Sequence, residues 1–208
     1  MRYGIYGGAF DPIHLGHLLL AESCLCGARL DRVIFVPTGI SPHRGAKDSY
    51  TASGNDRYNM IALAIDGYNE FEVSRFEIDR GKISYTVDTL RYFIDLYKLQ
   101  SAQNSPTQKT SDEFFLIMGC DMFCDLPNWY ESDKILQLAT PLVAAREGST
   151  LPNSNINHTI INMPQINISS TKIRNMIAKN INPRFQVPEK TLDYITKNNL
   201  YKNKTGKL

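Results

Sequence analysis

Five runs rich in apolar residues recur along the chain and end at glycine, proline or polar residues. The runs at 32–37 and 114–119 are almost uninterrupted, which is typical of strands buried on both faces of a parallel sheet. The remaining three are shorter or more mixed and fit strands of the same sheet. The predicted strands cover 3–6, 32–37, 71–74, 114–119 and 140–146.

The segments between these strands carry apolar residues at helical spacing. In one of them, Met60, Leu63 and Ala64 would form the buried face of a helix that Ser53 caps. Ser84 is a candidate cap for a later helix. The alternation of strands and helices predicts one α/β domain over 1–208. The predicted helices are 18–23, about 54–66, one that opens within 84–90, one that starts at 168–174, and about 188–198.

Two polar segments fit neither pattern. The segment 101–112 contains Pro106 and has no periodicity, so we expect a flexible surface insertion within the domain. The tail 202–208 is short and basic, and we expect it to be frayed.

Composition excludes several classes of function. Hydrophobic residues make up 42% and charged residues 21%, which is ordinary for a globular protein. The net charge of +2 is too small to indicate nucleic-acid binding. No long apolar run and no signal-peptide pattern after Met1 is present, so we expect a cytoplasmic protein that does not enter membranes. The four cysteines lack the paired spacing of a zinc site, and we expect neither a protein-held metal nor disulfides.

The stretch 7–17 places a glycine turn between the first strand and the first helix. Free backbone N–H groups and the positive end of a helix dipole would face one point there, which favours an anion. His14 and His17 share one helical face, and Gly16 between them indicates that a flat group lies close to the backbone. We interpret the stretch as a nucleotide-phosphate cradle. The alternative is an ordinary glycine turn followed by a capping and a surface histidine.

Polar side chains also follow two later strands, where open α/β sheets bind ligands. His43 and Arg44 lie in the loop 38–51, as ligand contacts or as part of a solvated turn. Asp121 follows the strand 114–119, where it would accept the ribose hydroxyls of a nucleotide or cap a helix.

Three further features suit a nucleotide ligand. Trp129 and Tyr130 would stack on an aromatic ring or would serve packing alone, and Arg146 would face substrate or solvate a strand edge. The segment 168–174 gathers three hydroxyls and two cations at a helix N-terminus, which suits the outer phosphates of a triphosphate. Its alternative is a serine cap beside ordinary surface cations.

Taken together, the motifs resemble the nucleotidylyltransferase superfamily and, within it, the bacterial nicotinate mononucleotide adenylyltransferases. The resemblance covers nearly the whole chain and implies a doubly wound, Rossmann-like, mostly parallel sheet of about six strands with helices on both faces. Departures from the usual pattern are Ala9, Arg44 and Cys120. The motifs are Gly-Gly-x-Phe-Asp-Pro-x-His-x-Gly-His, Pro-His-Arg, Ser-Tyr-Thr, Gly-x-Asp, Trp-Tyr and Ile-Ser-Ser-Thr-x-Ile-Arg.

The resemblance implies an enzyme that joins ATP and nicotinate mononucleotide into nicotinate adenine dinucleotide and pyrophosphate, with Mg²⁺ delivered by ATP. The implied catalytic residues are His14, His17 and Arg174. The implied ATP-binding residues are Gly7, Gly8, Ala9, Phe10, Gly16, Gly119, Asp121, Ile168, Ser169, Ser170 and Thr171. The implied residues for nicotinate mononucleotide are His43, Arg44, Tyr85, Thr86, Trp129, Tyr130 and Arg146.

Other functions remain open at this point. A sister transferase that uses phosphopantetheine, nicotinamide mononucleotide or another phosphate acceptor would keep both phosphate segments. A nucleotide sensor without catalysis is an alternative of another class. A class I aminoacyl-tRNA synthetase also has a His-x-Gly-His type motif, but this chain is too short and has no basic face for tRNA. The sequence does not fix the oligomeric state and is compatible with a homo-oligomer.

Overall fold

The computed structural model describes residues 1–42, 50–104, 112–145, 155–164 and 166–203. All strands in these ranges belong to one sheet of six strands in the order β3-β2-β1-β4-β5-β6. Every neighbouring pair is parallel. The strands are β1 (Arg2–Gly8), β2 (Arg32–Pro37), β3 (Phe71–Val73), β4 (Glu113–Gly119), β5 (Thr140–Ala145) and β6 (Thr159–Asn162).

This order confirms the doubly wound, Rossmann-like fold. The chain builds one half of the sheet outward from β1 to β3 and then returns to β4 on the other side of β1. Parallel strands need crossovers, and the crossovers place helices on both faces. The described helices are α1 (Leu15–Gly27), α2 (Gly54–Ala64), α3 (Phe76–Asp79), α4 (Thr86–Asn104), α5 (Cys120–Asp125), α6 (Ser132–Leu138), α7 (Ser170–Ala178) and α8 (Glu189–Lys197).

Side chains that alternate along the strands divide the interior into two cores, one on each face of the sheet. On β4, Phe115 and Ile117 point to the core that α1, α2, α7 and α8 cover. Leu116 and Met118 point to the core that α4 and α6 cover. Burial of both faces explains why the central strands lack the polar alternation of a half-exposed sheet.

Several predicted boundaries hold, and Ser53 caps α2 as expected, since its hydroxyl accepts the N–H of Asp56 at 3.1 Å. The prediction for Ser84 is wrong. Helix α4 begins two residues later, at Thr86, and the Ser84 hydroxyl instead points to the carbonyl of Lys82. The cap alternative for Asp121 is also wrong, because Gly119 occupies the N-cap of α5.

The sequence pattern missed one strand and gave an incomplete account of the segment before β4. Strand β6 is short and mostly exposed at the sheet edge, so it has no continuous apolar run. Helix α4 continues to Asn104, inside the segment expected to be an insertion, and 105–111 lie outside the described residues. Within the described part of the chain, no helix is both long and apolar enough to cross a membrane.

Candidate functional site

A cleft of about 1020 Å³ opens at the carboxyl ends of β1 and β4, where the strand order reverses. Open α/β sheets bind ligands at this switch point. Gly7 and Gly8 end β1 on one side, and Gly119 ends β4 on the other. A Cβ built at Gly7 or Gly119 would have no neighbouring atom within 4 Å, so the backbone borders open space at both positions.

The two histidines of the first motif lie against each other at the start of α1. Their rings stack with centroids 3.7 Å apart, and the backbone N–H of His14 donates to Nδ1 of His17 at 3.2 Å. The expected pairing on one helical face is therefore present. His17 lines the cleft, while His14 is the N-cap residue and is buried beside it.

Burial holds both imidazoles in the neutral form near neutral pH. It lowers the pKa of His14 from 6.5 to about 4. Burial, reinforced by the neighbouring His14, also lowers the pKa of His17 well below its usual value. The ring of Phe10 contributes to this, since it is 5.0 Å from that of His17 and almost completely buried. Phe10 thus lines the cleft as part of its apolar floor.

Gly16 provides the close approach that its position within a helix predicts. A Cβ there would lie 3.1 Å from both Cε1 and Nδ1 of His14. The flat group against this backbone is therefore the His14 imidazole itself. A side chain at this position would push the ring from its place beside His17.

The segment at the start of α7 meets the turn after β1 although more than 150 residues separate them. Nη1 of Arg174 donates to the carbonyl of Asp11 at 2.7 Å, and the hydroxyl of Ser170 donates to the carbonyl of Pro12 at 2.9 Å. Ser169 caps the helix by accepting the N–H of Lys172 at 3.3 Å. The expected convergence of the first and last motifs is present in the structure.

The remaining residues of this last motif lie around the same turn. Thr171 is exposed, and its hydroxyl accepts from Nη2 of Arg174 at 3.3 Å. Ile168 packs against the core on the α1 side. Ile166, just before it, lies close enough that a Cβ at Gly16 would be 3.4 Å from its side chain. The start of α7 therefore sits directly beside the paired histidines.

Aromatic residues form the opposite part of the cleft. Tyr85 and Thr86, at the start of α4, line it together with Trp129 and Tyr130. The rings of Tyr85 and Tyr130 are 4.5 Å apart, and Trp129 donates its indole N–H to Asp125 at 3.1 Å. Tyr130 remains exposed, whereas Trp129 also packs against the core. The flat faces of this wall suit a planar ring. Because Trp129 both lines the cleft and packs against the core, its contacts are compatible with stacking on a ligand and with packing alone.

The other predicted site residues are Asp121, Ala9 and three that the structure does not describe. Asp121 is exposed in the first turn of α5, two residues after the cleft residue Gly119. His43, Arg44 and Arg146 lie outside the described residues. Ala9, by contrast, lines the cleft directly.

Sequence reasoning missed a set of buried polar residues behind the cleft. The carboxylate of Asp11 accepts the N–H groups of Thr51 and Ala52 and the hydroxyl of Tyr201. Arg57 is 2% exposed and bonds two carbonyls of the cleft walls. Little in the sequence indicates this network. Asp11 lies within a motif that was recognised for its glycines and histidines, and Tyr201 comes from the distant tail.

Glu77 is a second buried carboxylate and lines the cleft itself. It accepts the hydroxyl of Thr89 at 2.6 Å and the N–H of Gly39 at 3.3 Å. Burial raises its pKa, and these two hydrogen bonds act against the increase. No group of three or more His, Cys, Asp or Glu side chains that could hold a metal ion occurs in the described ranges.

The cytidylyltransferase-like family profile matches residues 5–176, which include the first and last motifs, β2 to β6 and all but the first three residues of β1. The chain belongs to this family. Its fold and the switch-point cleft are those that such a nucleotidyltransferase requires.

Curated relatives narrow the family further. A protein of Thermus thermophilus is 38% identical over 97% of this chain and 100% of its own, and one of Clostridium beijerinckii is 38% identical over 97% and 99%. A Lactococcus lactis protein is 36% identical over 98% and 96%. All three carry the name "Probable nicotinate-nucleotide adenylyltransferase". Within its family, this chain thus groups with the nicotinate-nucleotide adenylyltransferases.

Solved structures agree on the fold. The nicotinic acid mononucleotide adenylyltransferase of Plasmodium falciparum complexed with APC has a TM-score of 0.68 at 22% identity, over 96% of each chain. The same enzyme complexed with NaAD has a TM-score of 0.67 at 23% identity, over 96% of this chain and 97% of its own. The architecture is therefore retained where most of the sequence differs.

Proposed function

We propose that the protein transfers the adenylyl group of ATP to nicotinate mononucleotide, which yields nicotinate adenine dinucleotide and pyrophosphate in NAD biosynthesis. One observation carries the proposal. Arg174 and the hydroxyl of Ser170, both on α7, are bonded to the turn that follows β1, beside the paired histidines and at the switch point. This arrangement suits one triphosphate held from two directions. The full-length relatives with this name support the same choice of acceptor.

The ATP side is assigned to the first turn, the end of β4 and the start of α7. His17 and Arg174 would contact the leaving pyrophosphate, with His14 positioned beside them. Asp121 would accept the ribose hydroxyls, since it is exposed two residues after Gly119, at the carboxyl end of β4. The other assigned residues are Gly7, Gly8, Ala9, Phe10, Gly16, Ile168, Ser169, Ser170 and Thr171.

The acceptor side is assigned to the aromatic wall. Tyr85 and Trp129 would border the pyridine ring, and the N–H groups at the start of α4 would face its carboxylate. Arg44 would hold the phosphate of the mononucleotide, because a guanidinium binds phosphate through two parallel hydrogen bonds. The other assigned residues are His43, Thr86, Tyr130 and Arg146.

The proposed reaction forms one P–O bond and breaks another. An oxygen of the mononucleotide phosphate attacks the α-phosphorus of ATP, and the bond to the β-phosphate breaks with release of pyrophosphate. The attacking phosphate is already ionised near neutral pH, so the chain needs no strong general base. Catalysis then depends on alignment of the two substrates and on groups that stabilise charge on the leaving pyrophosphate.

Mg²⁺ is expected to enter with ATP, where it would shield the phosphate oxygens. A cytoplasmic location is part of the same proposal.

The test is pyrophosphate release from MgATP with nicotinate mononucleotide, nicotinamide mononucleotide or phosphopantetheine as acceptor. We expect the highest kcat/KM with nicotinate mononucleotide. A higher value with another acceptor would indicate a sister transferase that uses that acceptor. If no acceptor supports pyrophosphate release, the remaining hypothesis is a nucleotide sensor without catalysis.

The matched variant is His17→Ala, which removes a group placed at the leaving pyrophosphate. We expect kcat to fall about 10²–10³-fold, as it does when one preorganised donor is lost from an active site. His158→Ala is the control, because His158 lies in the loop before β6 and outside the cleft lining. A loss below threefold in folded His17→Ala protein would remove His17 from the mechanism.

A further inference from the structure

Arg57 is a buried cation that joins two strands at the cleft. It lies on α2, is 2% exposed, and donates from Nη1 to the carbonyl of Ala9 at 2.9 Å. Its Nη2 donates to the carbonyl of Thr38 at 2.7 Å. The ring of Tyr50 covers the guanidinium at 4.1 Å. One planar group therefore binds the chain just after β1 and just after β2.

These two carbonyls belong to opposite parts of the proposed site. Ala9 lies in the turn assigned to ATP, and Thr38 opens the loop that leads to Arg44, the residue assigned to the mononucleotide phosphate. Both Ala9 and Thr38 line the cleft. The last residue pair of the two strands is Gly8 with Pro37, so sheet pairing ends before either carbonyl. Beyond that pair, the guanidinium of Arg57 links the two segments through its hydrogen bonds to the carbonyls of Ala9 and Thr38.

The cost of this arrangement indicates a role beyond stability. Removal of a guanidinium from water is expensive, and apolar replacements of buried charged groups are often neutral or stabilising. The hydrogen bonds of Arg57 in the described part of the chain go to carbonyls, and its Nε is buried without a partner there. A rigid fork with two donors at fixed separation does, however, fix the distance between two acceptors.

We propose that Arg57 is a positioning residue, which sets the spacing between the ATP-binding turn at Ala9 and the wall of the cleft at Thr38. The proposal rests on the proposed function. Arg57 touches neither substrate and acts through the carbonyls of Ala9 and Thr38. In-line attack depends on the distance between the acceptor oxygen and the α-phosphorus, and a misplacement of about 1 Å can lower a rate about 10²-fold. Each substrate on its own would still find its subsite intact.

The test is Arg57→Lys, which keeps the charge but cannot hold both carbonyls in one rigid plane. We expect kcat to fall about 10–100-fold, while the KM of each substrate changes less than about threefold. Arg75→Lys is the matched control, since Arg75 also contacts α2, through Asn55 and the ring of Tyr58, but is only half-buried and lies outside the cleft lining. We expect this control to retain wild-type kcat.

Hydrogen exchange gives a second measurement that needs no substrate. In Arg57→Lys, peptides that cover 7–10 and 36–40 should exchange faster, while those within α2 keep their protection. Wild-type kcat in Arg57→Lys, equal protection of both walls, or a variant that does not fold would each overturn the proposal. Failure of the proposed function is distinct, because the wild-type protein would then release no pyrophosphate while the exchange experiment still reported on the two walls.

Discussion

Acidification should destabilise this protein through its paired histidines. His14 is buried at the start of α1, and burial lowers its pKa from 6.5 to about 4. The unfolded chain therefore takes up a proton between these values that the folded chain does not. The titration of His14 therefore does not destabilise the folded protein above about pH 6.5, and it lowers the free energy of unfolding as the pH falls toward 4.

The magnitude follows from the two pKa values of His14. The gap between 6.5 and about 4 corresponds to about 3 kcal/mol when both states have titrated, at about 1.4 kcal/mol per pKa unit. By pH 5, about 2 kcal/mol of this is lost. His17 acts in the same direction, because its pKa is also lowered. Glu77 acts in the opposite direction, since its raised pKa favours the folded state as the pH falls.

A comparison of variants measures the part of the pH dependence that requires His14, which includes its effect on the pKa of His17. The free energy of unfolding would be measured by urea denaturation at pH 8, 7, 6 and 5 for wild type, His14→Gln and His158→Gln. Wild type should lose about 2 kcal/mol more than His14→Gln between pH 8 and pH 5. The His158→Gln control should follow wild type, since His158 lies in a loop. Equal pH dependence in wild type and His14→Gln would refute the argument.

Three other substitutions test separate contacts. Trp129→Ala should raise the KM for nicotinate mononucleotide about tenfold with little effect on that for ATP, whereas a rise in the ATP KM would contradict the ring assignment. Tyr201→Phe should cost about 1–3 kcal/mol in urea unfolding, because its hydroxyl donates to a buried carboxylate, and Tyr194→Phe, at a more exposed bond, should cost less. Gly39→Ala should lower the free energy of unfolding by about 1–3 kcal/mol, since its Cβ would lie 2.1 Å from the Glu77 carbonyl oxygen; an unchanged value would contradict that contact.

Much of the fold could be predicted because the central strands are buried on both faces. The runs that became β2 and β4 have almost no polar residues, which is typical of strands in a parallel sheet covered on both faces. Strand β6 could not be found in this way, since three of its four residues are exposed. The predicted helix boundaries depended on candidate capping residues. The prediction that Ser84 caps α4 failed because its hydroxyl bonds the carbonyl of Lys82 outside the helix.

The two candidate phosphate motifs were recognisable for a different reason, which is that their local order already places hydrogen-bond donors together. A strand, a glycine turn and a helix place N–H groups at one point wherever they occur. The buried network behind the site has no such local signal. Tyr201 lies 190 residues from Asp11, and Arg57 is one arginine within an ordinary amphipathic helix. Their roles depend on which carbonyls and carboxylates the folded chain brings to them.

The proposed ATP side therefore depends on tertiary contacts more than on a local motif. The turn that follows β1 is bonded at Asp11 by Arg174 from α7 and by Tyr201 from beyond α8. Arg57, from α2, bonds the same turn at Ala9. A turn that leaves a strand edge without ladder hydrogen bonds would otherwise be among the less stable parts of the chain. Because Arg57, Arg174 and Tyr201 bond it from separate parts of the chain, the backbone of this turn is held in place independently of any ligand, and the proposed electrostatic catalysis of phosphoryl transfer would use preorganisation of this kind.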